Sequence, residues 1–226
     1  MLIAIIGIDG SGKTTQAMLL YKALRKIGYN VKATYAGNTG IKLGKTFSFY
    51  LSLPLDIFIN RLMKMKKQDF YEKYPKLARL EEFLLFLNYI LLVLPKIYLY
   101  RFFFKVVIAD RYVYDYILSC IASSKPYSKT FIGILSRITQ KPDLTILLDV
   151  DEKVAYVRKY GEKPIDDLKK LRRLYLSFIA KIKGKIIQTY NRPVIRTFKD
   201  LLSLVMEQAA QMRRIKAKSE LVRGKL

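Results

Sequence analysis

The sequence predicts an α/β fold in which helices flank a parallel sheet, and three observations carry that prediction. An apolar run, Leu2-Ile3-Ala4-Ile5-Ile6, leads directly into Gly7-Ile8-Asp9-Gly10-Ser11-Gly12-Lys13-Thr14, and a helical pattern follows. Further apolar runs alternate with helical patterns along the chain, the order expected of right-handed crossovers. The runs are apolar almost throughout, as strands are when helices cover both faces of a sheet. Ligands of such sheets sit at the carboxyl ends of the strands.

The first strand is justified by what comes after it. Gly7 to Thr14 fits G-x-x-x-x-G-K-[ST], the phosphate-binding loop. Its glycines let successive N–H groups face one concavity, and the following helix adds partial positive charge there. Lys13 is placed to reach the β- and γ-phosphates, and the Thr14 hydroxyl to sit on Mg²⁺. The motif thus predicts binding of a nucleoside triphosphate through Gly7, Ile8, Asp9, Gly10, Ser11, Gly12, Lys13, Thr14 and Thr15. Ala17, Leu20, Tyr21 and Leu24 give a helix from Thr15 to about Ile27, stopped by Gly28-Tyr29-Asn30.

Val31 to Tyr35 reads as the second strand, ending at Ala36-Gly37-Asn38-Thr39-Gly40. Residues 43–61 read as helix broken near Pro54, and residues 64–76 as a basic surface segment. Residues 84–107 are apolar enough to raise a membrane span, but Asn88, Pro95, Lys96 and Arg101 interrupt the run. The stretch divides instead into a buried helix up to about Pro95 and a strand over Val106 to Ala109. Asp110-Arg111-Tyr112 follows, then a helix from Tyr114 to Ala122. Pro142 introduces a strand over Leu144 to Asp149, and Asp151 caps a short helix through Val157. The basic stretch Arg158, Lys159, Lys163 leads to a helix from Ile165 to about Ile182. A last strand covers Ile186 to Thr189 and a last helix Phe198 to Met212. The organisation predicted is one domain over 1–212, with a lid at about 158–168 and a basic tail over 213–226.

Composition narrows the partners. Lys and Arg exceed Asp and Glu to give a net charge of +24 over 226 residues. The basic residues are spread along the chain, which reads as a solvated basic surface and not as a nucleic-acid groove. The single cysteine, Cys120, excludes an intrachain disulfide and fits a reducing compartment. The N-terminal apolar run is too short for a secretory leader, so a cytoplasmic location is expected. With no histidine in the chain, His-based acid/base or metal chemistry is excluded. Many Lys, Ile and Tyr beside few thermolabile residues point weakly to a thermophile.

Several protein classes share the phosphate loop. A GTPase needs Asn-Lys-x-Asp after a strand, whereas Gln140-Lys141-Pro142-Asp143 lacks the Asn and precedes one. A mechanochemical ATPase needs a strand ending in Asp-Glu, and no strand here ends so. One strand ends in Asp110-Arg111, which suits water-mediated Mg²⁺ and a forked grip on an acceptor phosphate. The expected class is a small-molecule phosphotransferase.

At this point the chain resembles the thymidylate kinase family, among P-loop nucleoside monophosphate kinases. The resemblance is carried by Gly7 to Gln16, by Val106-Val107-Ile108-Ala109-Asp110-Arg111-Tyr112, by Pro142 to Val150 and by Leu171-Arg172-Arg173-Leu174-Tyr175-Leu176. It implies a five-stranded sheet of order 2-3-1-4-5, ATP with Mg²⁺ as donor, and dTMP as acceptor. It further implies that Asp9 touches the acceptor's sugar hydroxyl, that Arg111 grips its phosphate with Tyr112 beside it, and that Asp110 joins Thr14 at the metal. Because Gly10 stands where some members carry Arg, the resemblance places the catalytic Arg in the lid, with Arg158 the nearest candidate. Arg192 is placed against the adenine. A homodimer through helices flanking the third strand is also implied, with no dedicated nucleic-acid or membrane partner.

The chain departs from the family pattern on the acceptor side. Tyr35-Ala36-Gly37-Asn38-Thr39-Gly40 replaces Arg-Glu-Pro-Gly-Gly-Thr, and Tyr114-Asp115-Tyr116 replaces the usual small polar residues. Phe86 and Tyr89 can stack a base or serve as core, since aromatics at helical spacing do either. Two other readings follow: the same fold acting on a different acceptor, or a non-catalytic ATP-binding protein that docks on nucleic acid.

Overall fold

The computed structural model describes residues 1–37, 73–122 and 128–223. The helix expected over 43–61 and most of the basic segment at 64–76 lie outside them. In chain order the elements are β1 (Leu2–Ile6), α1 (Lys13–Lys26), β2 (Val31–Tyr35), α2 (Pro75–Asn88), a π turn (Tyr89–Val93) and α3 (Leu94–Phe103). Then come β3 (Val106–Asp110), α4 (Val113–Ala122), α5 (Lys129–Ile138), β4 (Leu144–Asp149), α6 (Glu152–Arg158), α7 (Ile165–Lys181), β5 (Lys185–Gln188) and α8 (Val194–Arg223).

The five strands form one parallel sheet of order β2-β3-β1-β4-β5. β1 sits at its centre, with Ile5 opposite Asp110 of β3 and Ile146 of β4. The pleat sends alternate residues to opposite faces. Ile3 and Ile5 join Leu20 and Leu24 of α1 and Leu201 and Val205 of α8 in one core. Leu2, Ala4 and Ile6 join Tyr89, Tyr116, Leu171 and Tyr175 in the other. Two cores on two faces explain why β1, β3 and β4 are buried along their whole length. The strand ends therefore hold their polar residues in fixed places, which is what a site at the carboxyl edge requires.

The helices differ most from the sequence reading. The helix expected to stop near Pro95 continues to Phe103. Pro95 lacks the N–H for the bond four residues back, and the π turn absorbs it: the Leu94 N–H bonds the Tyr89 carbonyl, five residues away. Only one face of this helix is core, since Phe86, Tyr89, Leu94 and Ile97 are buried while Leu91, Leu99 and Phe102 are exposed. Pro75–Phe103 is long and apolar enough to cross a membrane by length and composition. Helix α5 was not foreseen; Ser128 caps it by accepting the Phe131 N–H at 3.3 Å. Helix α8 begins at Val194 and runs through the expected basic tail to Arg223, with Arg213 donating to the Tyr29 hydroxyl at 3.0 Å.

Candidate active site

The loop after β1 folds around its own lysine. Lys13 is 5% exposed, and its ammonium donates to the carbonyls of Gly7 and Ile8 at 2.7 Å each. Burial, and then the neighbouring Arg111, lower its pKa to about 8, with Asp115, Asp9 and Asp110 opposing. A phosphate placed here raises that value again, because an anion favours the charged amine. ATP affinity is therefore expected to be flat below pH 8 and to weaken above it, approaching tenfold per pH unit as the free amine must first regain its proton. Calorimetric titrations between pH 7 and 10 measure this, and a constant affinity across the range contradicts it.

Gly10 has φ 88°, and a Cβ there would lie 2.9 Å from the Ala155 carbonyl of α6. A side chain at this position would push α6 off the loop. With glycine, α6 packs down, and Arg158 at its end donates to the Gly10 carbonyl at 3.1 Å. The missing side chain and Arg158 thus belong to one arrangement. Asp151 starts α6 as expected, its carboxylate accepting the Lys153 N–H at 2.9 Å. A cavity of about 290 Å³ beside the loop is lined by Gly12, Thr15, Arg158, Thr189, Arg192 and Val194. Arg192 is held at its rim by Asp200 at 2.9 Å.

On the other side of the loop lies the end of β3. The Thr14 hydroxyl donates to Asp110 Oδ2 at 2.6 Å, while Asp110 Oδ1 is buried with no hydrogen-bond partner among the described residues. An orphaned carboxylate oxygen next to the loop hydroxyl fits Mg²⁺, a hard cation that takes oxygen ligands. Arg111 follows with φ 68°, in the left-handed region that a non-glycine residue seldom adopts. The turn brings its guanidinium onto Asp9 in a salt bridge. Asp9 also accepts from Lys163, in the connection between α6 and α7, at 2.9 Å. Burial alone would raise the Asp9 pKa, but Arg111, Lys13 and Lys163 hold it well below the usual carboxylate range. One carboxylate thereby joins the loop, the end of β3 and the α6–α7 connection.

Of the two readings open for Phe86 and Tyr89 the structure favours core, and Tyr112, which the resemblance sets beside Arg111 at the acceptor, is buried as well. The Phe86 ring stacks on Phe131 at 4.4 Å and is 7% exposed. Tyr89 is fully buried, its hydroxyl donating to the Ala36 carbonyl at 3.3 Å. Tyr112 is also fully buried and donates to the Gln140 carbonyl at 2.5 Å. In each case the apolar ring gains more from the core than from a solvated cleft, and the face of α2 that carries Phe86 meets α5, which the sequence reading missed. Tyr114, instead of a small polar residue, packs on Phe178 of α7 at 4.7 Å.

Arg172, in one of the stretches that carry the family resemblance, has a different place. It grips Asp149 at the end of β4 with two bonds of 2.7 and 2.9 Å, and Glu152 of α6 at 2.8 Å. Those bonds make it a brace between β4, α6 and α7. Asp149 was foreseen at the strand end; its partner was not, because the pairing crosses from one element to another.

A family model described as thymidylate kinase matches residues 5–200. Among curated proteins, a probable thymidylate kinase of Methanococcus maripaludis strain C6 is 28% identical over 216 residues, covering 91% of each chain. One from Archaeoglobus fulgidus is 31% identical over 191 residues, covering 78% of this chain and 81% of its own. One from Staphylothermus marinus is 27% identical over 218 residues, covering 91% and 94% respectively.

Proposed function

The chain belongs to the thymidylate kinase family, and on that premise we propose that it transfers the γ-phosphoryl group of ATP to dTMP, giving dTDP and ADP. The observation that carries the reading is the juxtaposition at the carboxyl edge of the sheet. A loop closed on Lys13 stands beside Arg111, and Asp9 connects the two. Phosphoryl transfer asks for positioning and for positive charge on spreading oxygens, and needs little proton chemistry.

An acceptor phosphate oxygen attacks the γ-phosphorus as the bridging bond to the β-phosphate breaks, and ADP leaves. Lys13 holds the β- and γ-oxygens from below. Arg158, above the Gly10 carbonyl, meets the donor from the lid. Arg111 exchanges Asp9 for the acceptor phosphate, which leaves Asp9 for the sugar hydroxyl. Thr14 and Asp110 would hold Mg²⁺, which would supply charge neutralisation on the phosphates. Arg192 lines the cavity where the adenine is placed. The exposed face of α2–α3, including Leu91, Leu99 and Phe102, supports the homodimer that the family implies.

A coupled assay of ADP release over a panel of nucleoside monophosphates, deoxynucleosides and phosphorylated metabolites tests the reading. The largest kcat/KM is expected with dTMP. A second reading, the same reaction on another acceptor, draws support from the burial of Phe86 and Tyr89, which leaves neither ring to stack a base. ADP release with another panel member and none with dTMP would select it.

A further inference from the structure

Among the described residues, Arg111 faces two carboxylates of different character. Asp9, on the loop, is 19% exposed in its side chain and divides itself between Arg111 and Lys163. Asp115, in the first turn of α4, is 3% exposed, and both of its oxygens are already engaged. Oδ2 accepts the Tyr112 N–H at 2.9 Å, closing the N-terminus of α4 in the manner of a capping box. Oδ1 accepts the Tyr175 hydroxyl of α7 at 2.6 Å and lies 3.9 Å from Nη1 of Arg111. On another side, a Cβ at Gly37 would come within 2.6 Å of the Arg111 Cδ and of the Tyr35 ring, so the arginine stem fills the space that a side chain there would need.

A helix cap alone explains one of these bonds. It does not explain a buried charge aimed at the arginine, nor a tyrosine reaching from another helix to fix it. A short acid held at both oxygens cannot follow a moving partner, so it defines where a neighbouring guanidinium comes to rest. We propose that Asp115, locked by Tyr175, is a positioning residue for the acceptor: it keeps the Arg111 guanidinium aimed at the acceptor phosphate when that phosphate takes the place of Asp9. The proposal rests on Arg111 gripping the acceptor phosphate. It gives a use to the acid in Tyr114-Asp115-Tyr116, where small polar residues are usual for the family. Without the charge of Asp115, Arg111 has Asp9 as its anionic partner, and the acceptor must break that pair with nothing to hold the arginine in place.

Asp115→Asn keeps the shape of the side chain while removing its charge: its amide oxygen can still accept the Tyr112 N–H, and its NH2 can donate to the Tyr175 hydroxyl in place of accepting from it. The expected result is an acceptor KM about tenfold higher, with kcat and the KM for ATP within about twofold. In an Arg111→Lys background, which itself raises the acceptor KM, Asp115→Asn should add almost nothing, because its effect passes through the arginine. Tyr175→Phe, which removes one hydroxyl and keeps the ring, should shift the acceptor KM the same way by about threefold and stands in if the Asn variant does not fold. An unchanged acceptor KM beside a lowered Tm would make Asp115 a cap and nothing more, overturning the proposal. Independent, multiplying effects of the two substitutions would overturn it as well. If Arg111→Lys leaves the acceptor KM untouched while Asp115→Asn raises it, the role of Arg111 is what fails, and the proposal with it.

Discussion

Lys13→Ala is expected to lower kcat/KM for phosphoryl transfer by about 10³-fold or more while leaving the folded state at least as stable as before. Both halves follow from one geometry. The ammonium is tied to the Gly7 and Ile8 carbonyls at 2.7 Å and closed off from water, so its field acts on a bound phosphate with little screening. The same burial makes the charge costly in the absence of phosphate. Lowering the pKa of Lys13 from 10.5 to about 8 means that the unfolded chain binds the proton more tightly than the folded one. That mismatch costs about 3 kcal/mol below pH 8, and stability recovers as pH rises from about 8 towards 10.5. Removing the amine removes the cost together with the catalysis. Steady-state rates of ADP release and thermal melts near pH 7 check the pair of outcomes. Persistent transfer would move the site elsewhere, and a collapse in Tm would make the lost rate a folding effect.

What could be read from the sequence was whatever short-range chemistry controls. The loop, its strand and its helix lie within a few tens of residues, and the motif demands all three. Asp151 announces α6 because a cap bonds a backbone group two residues on. β1, β3 and β4 showed themselves through burial on both faces. What could not be read was set by packing between distant elements. Nothing local distinguishes a Phe86 that stacks on Phe131 from one that stacks on a base, since the outcome depends on where α5 lies. Pro95 reads as a helix end, and only the π turn beneath it makes continuation possible. α5 itself had a signal, Ser128 before Phe131, Ile132 and Leu135 at helical spacing, which went unused. The acceptor side suffered most, because Asp9, the Arg111–Asp115 turn, Lys163 and Tyr175 meet through contacts between four separate segments.

The lid shows how geometry separates cations that composition cannot. Arg158, Lys163 and Arg172 are all basic and close in sequence. Lys163 sits on Asp9, which also holds Arg111. Arg172 is spent on the carboxylates of Asp149, Asp151 and Glu152, the first of them only 2% exposed. Arg158 alone of the three donates to a neutral partner, the Gly10 carbonyl, while lining the cavity beside the loop. A phosphate displaces a single neutral hydrogen bond far more readily than it breaks a bidentate ion pair.

Arg158→Ala is accordingly expected to lower kcat by about 10²- to 10³-fold with the KM for ATP and for the acceptor changed less than about threefold, since a lid cation acts on charge that spreads in the transition state. Its stability effect should be negligible, because the side chain is exposed and carries no ion pair among the described residues. Arg172→Ala should behave in the opposite sense. It leaves Asp149 buried without its guanidinium and frees α6 from α7, so a loss of about 3–5 kcal/mol in folding stability is expected, with activity falling only as the folded fraction does. Urea denaturation beside steady-state kinetics on the two variants resolves them. If Arg158→Ala keeps a full kcat and Lys163→Ala loses it, the catalytic cation of the lid is the one on Asp9. Gly10 would then serve to admit α6 and Ala155 alone, with no part in presenting an arginine.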